Sequence, residues 1–395
     1  MQERIVITGL GVVSAAGITR DAFFAALATG ASGIRPHPRP DEGISLSATL
    51  DDFGARRLLD PRSLRRLARL SQLSLVAAKE ALAQAALGDA VAPERTGIVL
   101  GTGLGTLRET MDFMRSYVAG GPETASPLLF PSSVMNAAAG QMAIELGLRG
   151  VNTTLNHREG SPFDALMLAC DLLALGRADA LLVGAVDEIS DMMLLGYQRL
   201  GRLSKTGVRP SARDRDGTVL GEGAAVLLLE RERDAERRGA MVLARVAGFA
   251  ASGESRPRVG FGHHAEGLAS IMRAALDDAA ILPAAIDYVA GAGCGLASDA
   301  LEARALSSVF ERAVPCGSIA GQTGDFMSAG VLRMAAALYA FERQSLPGTV
   351  GAGEPDPEAP MPGLVLTARS AEVNAVLLPS LSQGGANAAV VLTRA

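Results

Sequence analysis

The sequence predicts an α/β protein. Two observations predict it: short apolar runs of strand length alternate with stretches of helical periodicity along nearly the whole chain, and the strand–helix order of the first part returns in the second. Alternation of this kind builds parallel or mixed sheets covered by helices. A chain of 395 residues, 48% of them hydrophobic, has material for one large α/β unit or for two or three ordinary domains.

The elements follow in order. Ile5-Val6-Ile7 begins the first strand, over residues 5–8, and a helix is expected over 21–28. A long helical pattern over 61–87 leads to a strand at 97–100, helices over 104–118 and 135–146, and a strand at 152–155. A helix over 162–175, the apolar run 180–186 and a strand at 225–230 complete the first half. The charged stretch 230–239 marks the junction, so the halves are read as 1–240 and 241–395. In the second half strands are expected at 243–249, 288–292, 314–317, 373–378 and 388–392, with helices over 264–280, 299–309 and 329–343. The duplication is one of structure, since no residue-level repeat is visible. Residues 252–262 and 345–363 lack apolar periodicity and read as loops, either plain surface connections or the walls of a substrate entrance.

Composition excludes several classes of function. A net charge of −5 argues against a nucleic-acid surface. No apolar stretch approaches the roughly 18 residues of a membrane helix: the longest runs are short, as at 180–186, or broken, as at 331–341 by Arg333. Met1-Gln2-Glu3-Arg4 passes straight into Ile5-Val6-Ile7, without a signal-peptide pattern. Cys170, Cys294 and Cys316 are scattered and form no CxxC pair, which fits a reducing cytoplasm. No metal site or cofactor motif is expected. The histidines are His37, His157, His263 and His264, with none beyond residue 264, and the lysines are Lys79 and Lys205 alone.

Several segments, in order, resemble the β-ketoacyl-ACP synthases, the thiolase-fold condensing enzymes of fatty-acid and polyketide synthesis. They are Ile5-Val6-Ile7-Thr8-Gly9-Leu10-Gly11-Val12-Val13-Ser14, Gly120-Gly121-Pro122 with Phe130-Pro131-Ser132, and Gly147-Leu148-Arg149-Gly150. Gly176-Arg177-Ala178-Asp179-Ala180, Arg213-Asp214-Arg215-Asp216-Gly217, Gly221-Glu222-Gly223-Ala224 and Gly384-Gly385-Ala386-Asn387 follow. The set spans residues 3 to 393. The resemblance implies two similar βαβαβαββ halves in a five-layered αβαβα arrangement.

It also implies a Cys nucleophile at a helix N-terminus, where the dipole lowers a thiol's pKa and free N–H groups hold an oxyanion. Two histidines and a lysine would assist in the second half. Here the sequence departs from the family at each point. Counting back from Gly176-Arg177-Ala178-Asp179 puts Glu159 at the nucleophile position, in Asn156-His157-Arg158-Glu159-Gly160-Ser161; Cys170 lies eleven residues on and reads as core. Counting back from Asp299-Ala300-Leu301-Glu302-Ala303 puts Gly291 at the first His position. The second falls on Gln322, or on Gly324 or Asp325 in another register. A carboxylate does not readily form an acyl-thioester. Glu159 reads as a carboxylate at a helix N-terminus paired with Arg158: a residual decarboxylase group, a plug in a vestigial pocket, or a structural filler. His157 reads as a base or as a hydrogen-bonded structural group.

The nearest subfamily resemblance is to the chain-length factor of type II polyketide synthases, which lacks the Cys and pairs with an active ketosynthase. Gly184-Ala185-Val186-Asp187 and Ser370-Ala371-Glu372-Val373-Asn374 carry it, while Leu381-Ser382-Gln383 replaces the family's Phe-Gly-Phe gate. Chain-length factors carry Gln where this chain has Glu159. The resemblance implies an active ketosynthase as partner, in a heterodimer built on the edge strand 152–155, and an acyl carrier protein bearing a phosphopantetheine-linked chain. Thr110, Phe113, Met114 and Tyr117, at i, i+3, i+4 and i+7, would cap the partner's acyl tunnel or belong to the core. Arg62, Arg65, Arg66 and Arg69 share one expected helix and would receive the acidic carrier protein or simply face water. A malonyl-carrier-protein decarboxylase using Glu159 and a purely structural stabiliser of a ketosynthase are the rival functions.

Overall fold

The computed structural model describes residues 3–51, 53–254 and 265–395. The expected loop at 252–262 lies outside them from residue 255 on, as do His263 and His264. Ten strands form the main sheet: β1 (Ile5–Ser14), β2 (Thr96–Gly101), β3 (Asn152–Leu155), β4 (Ala180–Asp187), β5 (Gly223–Arg231), β6 (Ala244–Gly253), β7 (Tyr288–Ala290), β8 (Cys316–Gly317), β9 (Ala375–Leu381) and β10 (Ala386–Thr393). The principal helices are α1 (Arg20–Thr29), α2 (Arg69–Ala85), α3 (Leu107–Gly120), α4 (Ala137–Leu146), α5 (Ser161–Ala174), α6 (Asp191–Arg199), α7 (Glu266–Asp278), α8 (Ser298–Val309) and α9 (Gly330–Arg343).

The sheet runs β8-β7-β9-β10-β6-β1-β5-β4-β2-β3. Read outward from β1 and from β6, the two halves have one order, with the third strand of each half at the edge. Pairing senses repeat too: β2 is parallel to β3 and β4, as β7 is to β8 and β9, and each half ends in an antiparallel pair. The halves meet where β1 pairs with β6, Ile5 to Val246 through Ile7 to Ala244.

Strand alternation divides the core into three slabs. Ile98, Leu100, Leu182 and Val226 face α2 and α4 through Leu70, Leu73 and Met142. Val99, Val183 and Leu227 face the other way, onto α5 and α9, as do Val376, Leu378 and Val390 from the second half. Val289, Leu377 and Val391 turn outward to Leu268, Met272 and Leu301 of α7 and α8. The layers are therefore α2/α4, strands, α5/α9, strands, α7/α8, a thiolase-like ketosynthase fold in the expected αβαβα arrangement. Strands covered on both faces need apolar residues on both, which is why their sequences read as continuous hydrophobic runs. The Gly-x-Gly in β1 has a packing cause: a Cβ on Gly9 or Gly11 would lie 2.3 Å from the Ala81 carbonyl oxygen or 1.9 Å from that of Ala77.

Several expected boundaries move. The first strand continues to Ser14 beyond a bulge between Ile7 and Gly9. The single helix expected over 61–87 is two, Pro61–Arg66 and α2, because Leu67 and Ala68 are extended. Gln72 Nε2 holds the break by donating to the Leu64 and Leu67 carbonyls at 3.2 and 2.9 Å. The strand expected at 314–317 contracts to β8, and the loop expected at 345–363 opens with a two-residue strand, Ser345–Leu346.

Candidate functional site

The chain leaves β3 through a tight turn into α5, and the turn is fixed by its own polar groups. Ser161 Oγ donates to the Thr102 carbonyl at 2.9 Å and accepts from the His157 amide at 2.8 Å. Asn156 Nδ2 donates to the Gly103 carbonyl at 3.1 Å. Asp187, at the end of β4, accepts from Thr102 Oγ1, the Gly103 amide and the Ser328 amide at 2.8–3.0 Å, and so ties this corner to the segment before α9. Arg158 has φ 54, a left-handed conformation unusual for a side-chain-bearing residue. It turns Glu159 inward.

The Glu159 carboxylate departs from its expected environment. It meets not the free amides of α5 but the turn between β9 and β10: Oε2 accepts from Ser382 Oγ at 2.7 Å and from the Gln383 amide at 3.3 Å. Arg158 Nε stands 4.0 Å away. Ser380 Oγ also donates to the Glu159 carbonyl at 3.1 Å. Burial pushes the Glu159 carboxyl above its ordinary range, against the Ser382 hydroxyl and Arg158.

Behind Glu159 lies a cavity of about 60 Å³, whose walls include Tyr197, Cys294, Asp325 and Arg333. At roughly 10–15 Å³ per water it has room for only a handful of waters. Asp325 is pushed up to about 7, by burial first and then by the negative charges of Glu159 and Asp299. The Arg333 guanidinium is buried and pushed down, opposed by Glu302 and Asp325. It donates to the Ala290 and Pro379 carbonyls at 3.2 and 2.6 Å and lies over the Phe163 ring at 5.3 Å, which ties the ends of β7 and β9 to α5. Asp299 accepts from the amides of Ser211, Cys294 and Gly295, and Glu302 from those of Ala292 and Gly293. The acidic pair of α8 thus shapes the turn after β7.

Other expected positions fall elsewhere. Gly291 gives its amide to the Gly317 carbonyl, and the neighbour that lines the cavity is Ala292. Gln322 points away, with Nε2 on the Ala26 carbonyl at 2.7 Å; of the three registers for that position, Gly324 and Asp325 reach the cavity and Gln322 does not. Asp325 shares the cavity wall with Glu159, and each carboxyl's negative charge bears on the other. Cys170 is buried inside α5, where burial raises its thiol, as a core residue's would be. His157 is largely exposed and pairs through Nδ1 with Asp164 Oδ2 at 2.7 Å.

The four arginines do not share one face. Arg62 and Arg65 are exposed, and Arg66 pairs with Glu145. Arg69 lies beyond the helix break and binds the fully buried Glu222 through Nε at 3.0 Å and Nη2, with its guanidinium over Phe53 at 5.1 Å. It is a structural cation. On α3 none of the expected tunnel residues is buried: Met114 and Tyr117 are exposed, Phe113 packs on Phe130 at 5.8 Å, and Thr110 Oγ1 donates to the Thr106 and Ser133 carbonyls. Val118, Leu128, Phe130 and Ile144, which are 77%, 87%, 58% and 66% exposed, add to the apolar side chains that α3, the segment after it and α4 leave uncovered. Soluble single chains rarely carry such a surface without a use for it.

Sequence reasoning missed Tyr197 and the role of Arg333, although one arginine in the otherwise apolar run 331–341 was a visible signal. Among the described residues no group of three or more His, Cys, Asp or Glu could hold a metal ion, and no helix is long and apolar enough to cross a membrane.

Comparison with known proteins follows this geometry. Residues 2–235 match the family described as Beta-ketoacyl synthase, N-terminal domain, and residues 243–352 match Beta-ketoacyl synthase, C-terminal domain. The chain is 30% identical to 3-oxoacyl-[acyl-carrier-protein] synthase 2 of Coxiella burnetii (strain RSA 493 / Nine Mile phase I), over 100% of this chain and 99% of that protein. It is also 30% identical to the putative polyketide beta-ketoacyl synthase 1 of Streptomyces virginiae, over 100% and 98%. Among solved structures it superposes on the ishigamide ketosynthase/chain length factor with a TM-score of 0.94 and 28% identity, each chain covered in full.

Proposed function

The chain belongs to the β-ketoacyl synthase family, and we propose that within it this protein is a chain-length factor: a subunit that pairs with an active ketosynthase and caps its acyl tunnel without holding the acyl chain itself. The observation that carries this reading is Glu159. It occupies the turn where the family's resemblance calls for a Cys nucleophile, and it is bonded to the β9–β10 turn over a cavity of about 60 Å³. A carboxylate at that position gives no thioester. Ala292 and Asp325, rather than histidines, face that cavity at the positions where assistance would be needed.

The partner is an active ketosynthase docked on the edge of β3 and the apolar surface of α3, where Thr110, Phe113, Met114 and Tyr117 close the tunnel. The acyl carrier protein approaches the pair from the cytoplasm, with Arg62 and Arg65 as its attractive charges; Arg69 is committed to Glu222. The likeness to a ketosynthase/chain length factor supports this assignment. The test is co-expression with Cys-containing ketosynthases from the same source. A one-to-one complex whose product shortens with Thr110→Phe supports the reading, and unchanged product length in an intact complex overturns it.

A second reading, decarboxylation of a malonyl thioester, has Asp325 in its favour, since a carboxyl near pH 7 beside Glu159 can supply a proton. The small cavity weighs against it. Carbon dioxide release from malonyl-carrier protein by the isolated chain, lost in Glu159→Gln, would establish it.

A further inference from the structure

No residue of α3 is buried, so burial in a core does not fix the depth of this helix. Its first two turns are slung between two supports. On one side is the segment between α3 and α4: Thr110 Oγ1 donates to the Ser133 carbonyl at 3.0 Å, Thr106 Oγ1 to that of Val134 at 3.4 Å, and Phe113 packs on Phe130. On the other side is the chain just after β4. Arg108 Nε donates to the Ile189 carbonyl at 2.6 Å, the Arg108 amide donates to Glu188 Oε1 at 3.3 Å, and Leu107 packs against the cluster of Ile189 and Met193. Oε2 of Glu109 and Oε2 of Glu188 are buried without a hydrogen-bond partner, so those ends add no tie. Arg115 Nη2 also stands 3.9 Å from Asp191, an exposed contact that holds little.

The support after β4 is firm. The Ile189 amide donates to Glu222 Oε2 at 3.2 Å, and Glu222, fully buried, also takes Arg69 Nε at 3.0 Å and the Leu50 amide at 2.8 Å. One peptide is thus gripped from both ends, by the core through its N–H and by α3 through its carbonyl. We propose that Arg108 is a positioning residue for product length: its bond to the Ile189 carbonyl sets how far α3 carries Thr110, Phe113 and Tyr117 into the partner's tunnel. The inference rests on the chain-length reading above and names the group that fixes the depth of the cap.

Geometry amplifies the tie. Tyr117 lies about 13 Å further along the axis at 1.5 Å per residue, so a tilt of about 10° at Arg108 displaces it by about 2 Å. That is close to the reach that one two-carbon extension adds to an acyl chain. Without the Arg108 tie the helix pivots on its bonds to residues 133 and 134, and the far end of the cap yields to a longer chain.

The test exploits the position of Nε. In Arg108→Gln the side-chain Nε2 falls where the Arg Nε stood and still donates to the Ile189 carbonyl; in Arg108→Met a methyl group takes that place and the bond is lost. Arg108 is exposed, so both variants should fold. Each is co-expressed with the Cys-containing ketosynthase that forms the complex, and the products are resolved by mass spectrometry. In Arg108→Met the ratio of the main product to the one longer by two carbons should fall about fivefold, as for the loss of one hydrogen bond, while Arg108→Gln stays within about twofold of the parent. In the isolated chain, backbone hydrogen exchange over residues 108–112 should rise about fivefold in Arg108→Met alone. That readout needs no partner and decides if a variant complex does not assemble. A parental product ratio in Arg108→Met, where Thr110→Phe does shorten the product, overturns this inference and leaves the subunit role standing. Products unchanged by both substitutions in an intact complex overturn the subunit role and this inference with it. Exchange that stays flat in Arg108→Met, or rises equally in Arg108→Gln, overturns the positioning role.

Discussion

The two halves repeat one strand order yet finish their sheets differently. At one edge β3 offers Asn152–Leu155, exposed or half-buried, with α4 packed beside it. At the other edge β8 is buried, because residues 363–365 run alongside it: the Cys316 amide donates to the Gly363 carbonyl at 2.9 Å and the Val365 amide to the Cys316 carbonyl at 2.8 Å. A bare strand edge is a template for another chain, and proteins cover the edges they do not use. Equivalent positions in a duplicated fold thus end differently, one sealed by the chain itself and one left bare.

That contrast can be broken from either side. The largest effect is expected at the open edge. Val118→Asp combined with Phe130→Asp should weaken association with the partner ketosynthase by ~100-fold or more, the loss of two apolar anchors, measured by analytical ultracentrifugation. The isolated chain should keep its melting temperature. At the sealed edge the signature reverses. Val365→Pro removes a buried amide donor and should cost about 1–3 kcal/mol in urea denaturation, while leaving partner affinity unchanged.

A third prediction contrasts the turns that precede the two central helices. Asp325 sits above its unfolded value, so the stability linked to its proton is fully present below about pH 4, falls as pH rises toward 7, and is lost above that. Asp325→Asn should therefore gain on the parent by roughly 3 kcal/mol at pH 8 and by almost nothing at pH 4, followed as melting temperature against pH. The smallest stability effect belongs to Thr110→Phe on the open side: about 1 kcal/mol by thermal melting, for the loss of its hydroxyl's bond to the Ser133 carbonyl, with a shortened product as its only large consequence.

How far the sequence spoke differed from residue to residue. The α/β class followed from alternation and the five-layered order from the resemblance: Ile98 and Val99 are neighbours on one strand, yet belong to different slabs because successive side chains face opposite ways. Glu159 came from counting back from Gly176-Arg177-Ala178-Asp179, and most of that span is the single helix α5, Ser161–Ala174. For the later positions the structure shows Gly291 giving its amide to the Gly317 carbonyl while Ala292 lines the cavity, and Gln322 reaching the Ala26 carbonyl. Where a few residues are inserted or lost between a strand and a helix, the register of the turn is set by tertiary contacts such as Asp299 with Cys294, and spacing carries no record of them. Arg69 failed for a similar reason, since helical spacing grouped it with Arg62 and Arg65 while the Glu222 carboxylate drew it inward.

The sequence by itself determined the α/β class and the duplicated halves, and it singled out Glu159, because these depend on local periodicity and on residue identity. The tertiary structure alone decided what that carboxylate does. Its partners Ser382, Gln383 and Asp325 lie more than 160 residues away, and the field that sets its charge is the sum of burial and neighbours that only folding brings together.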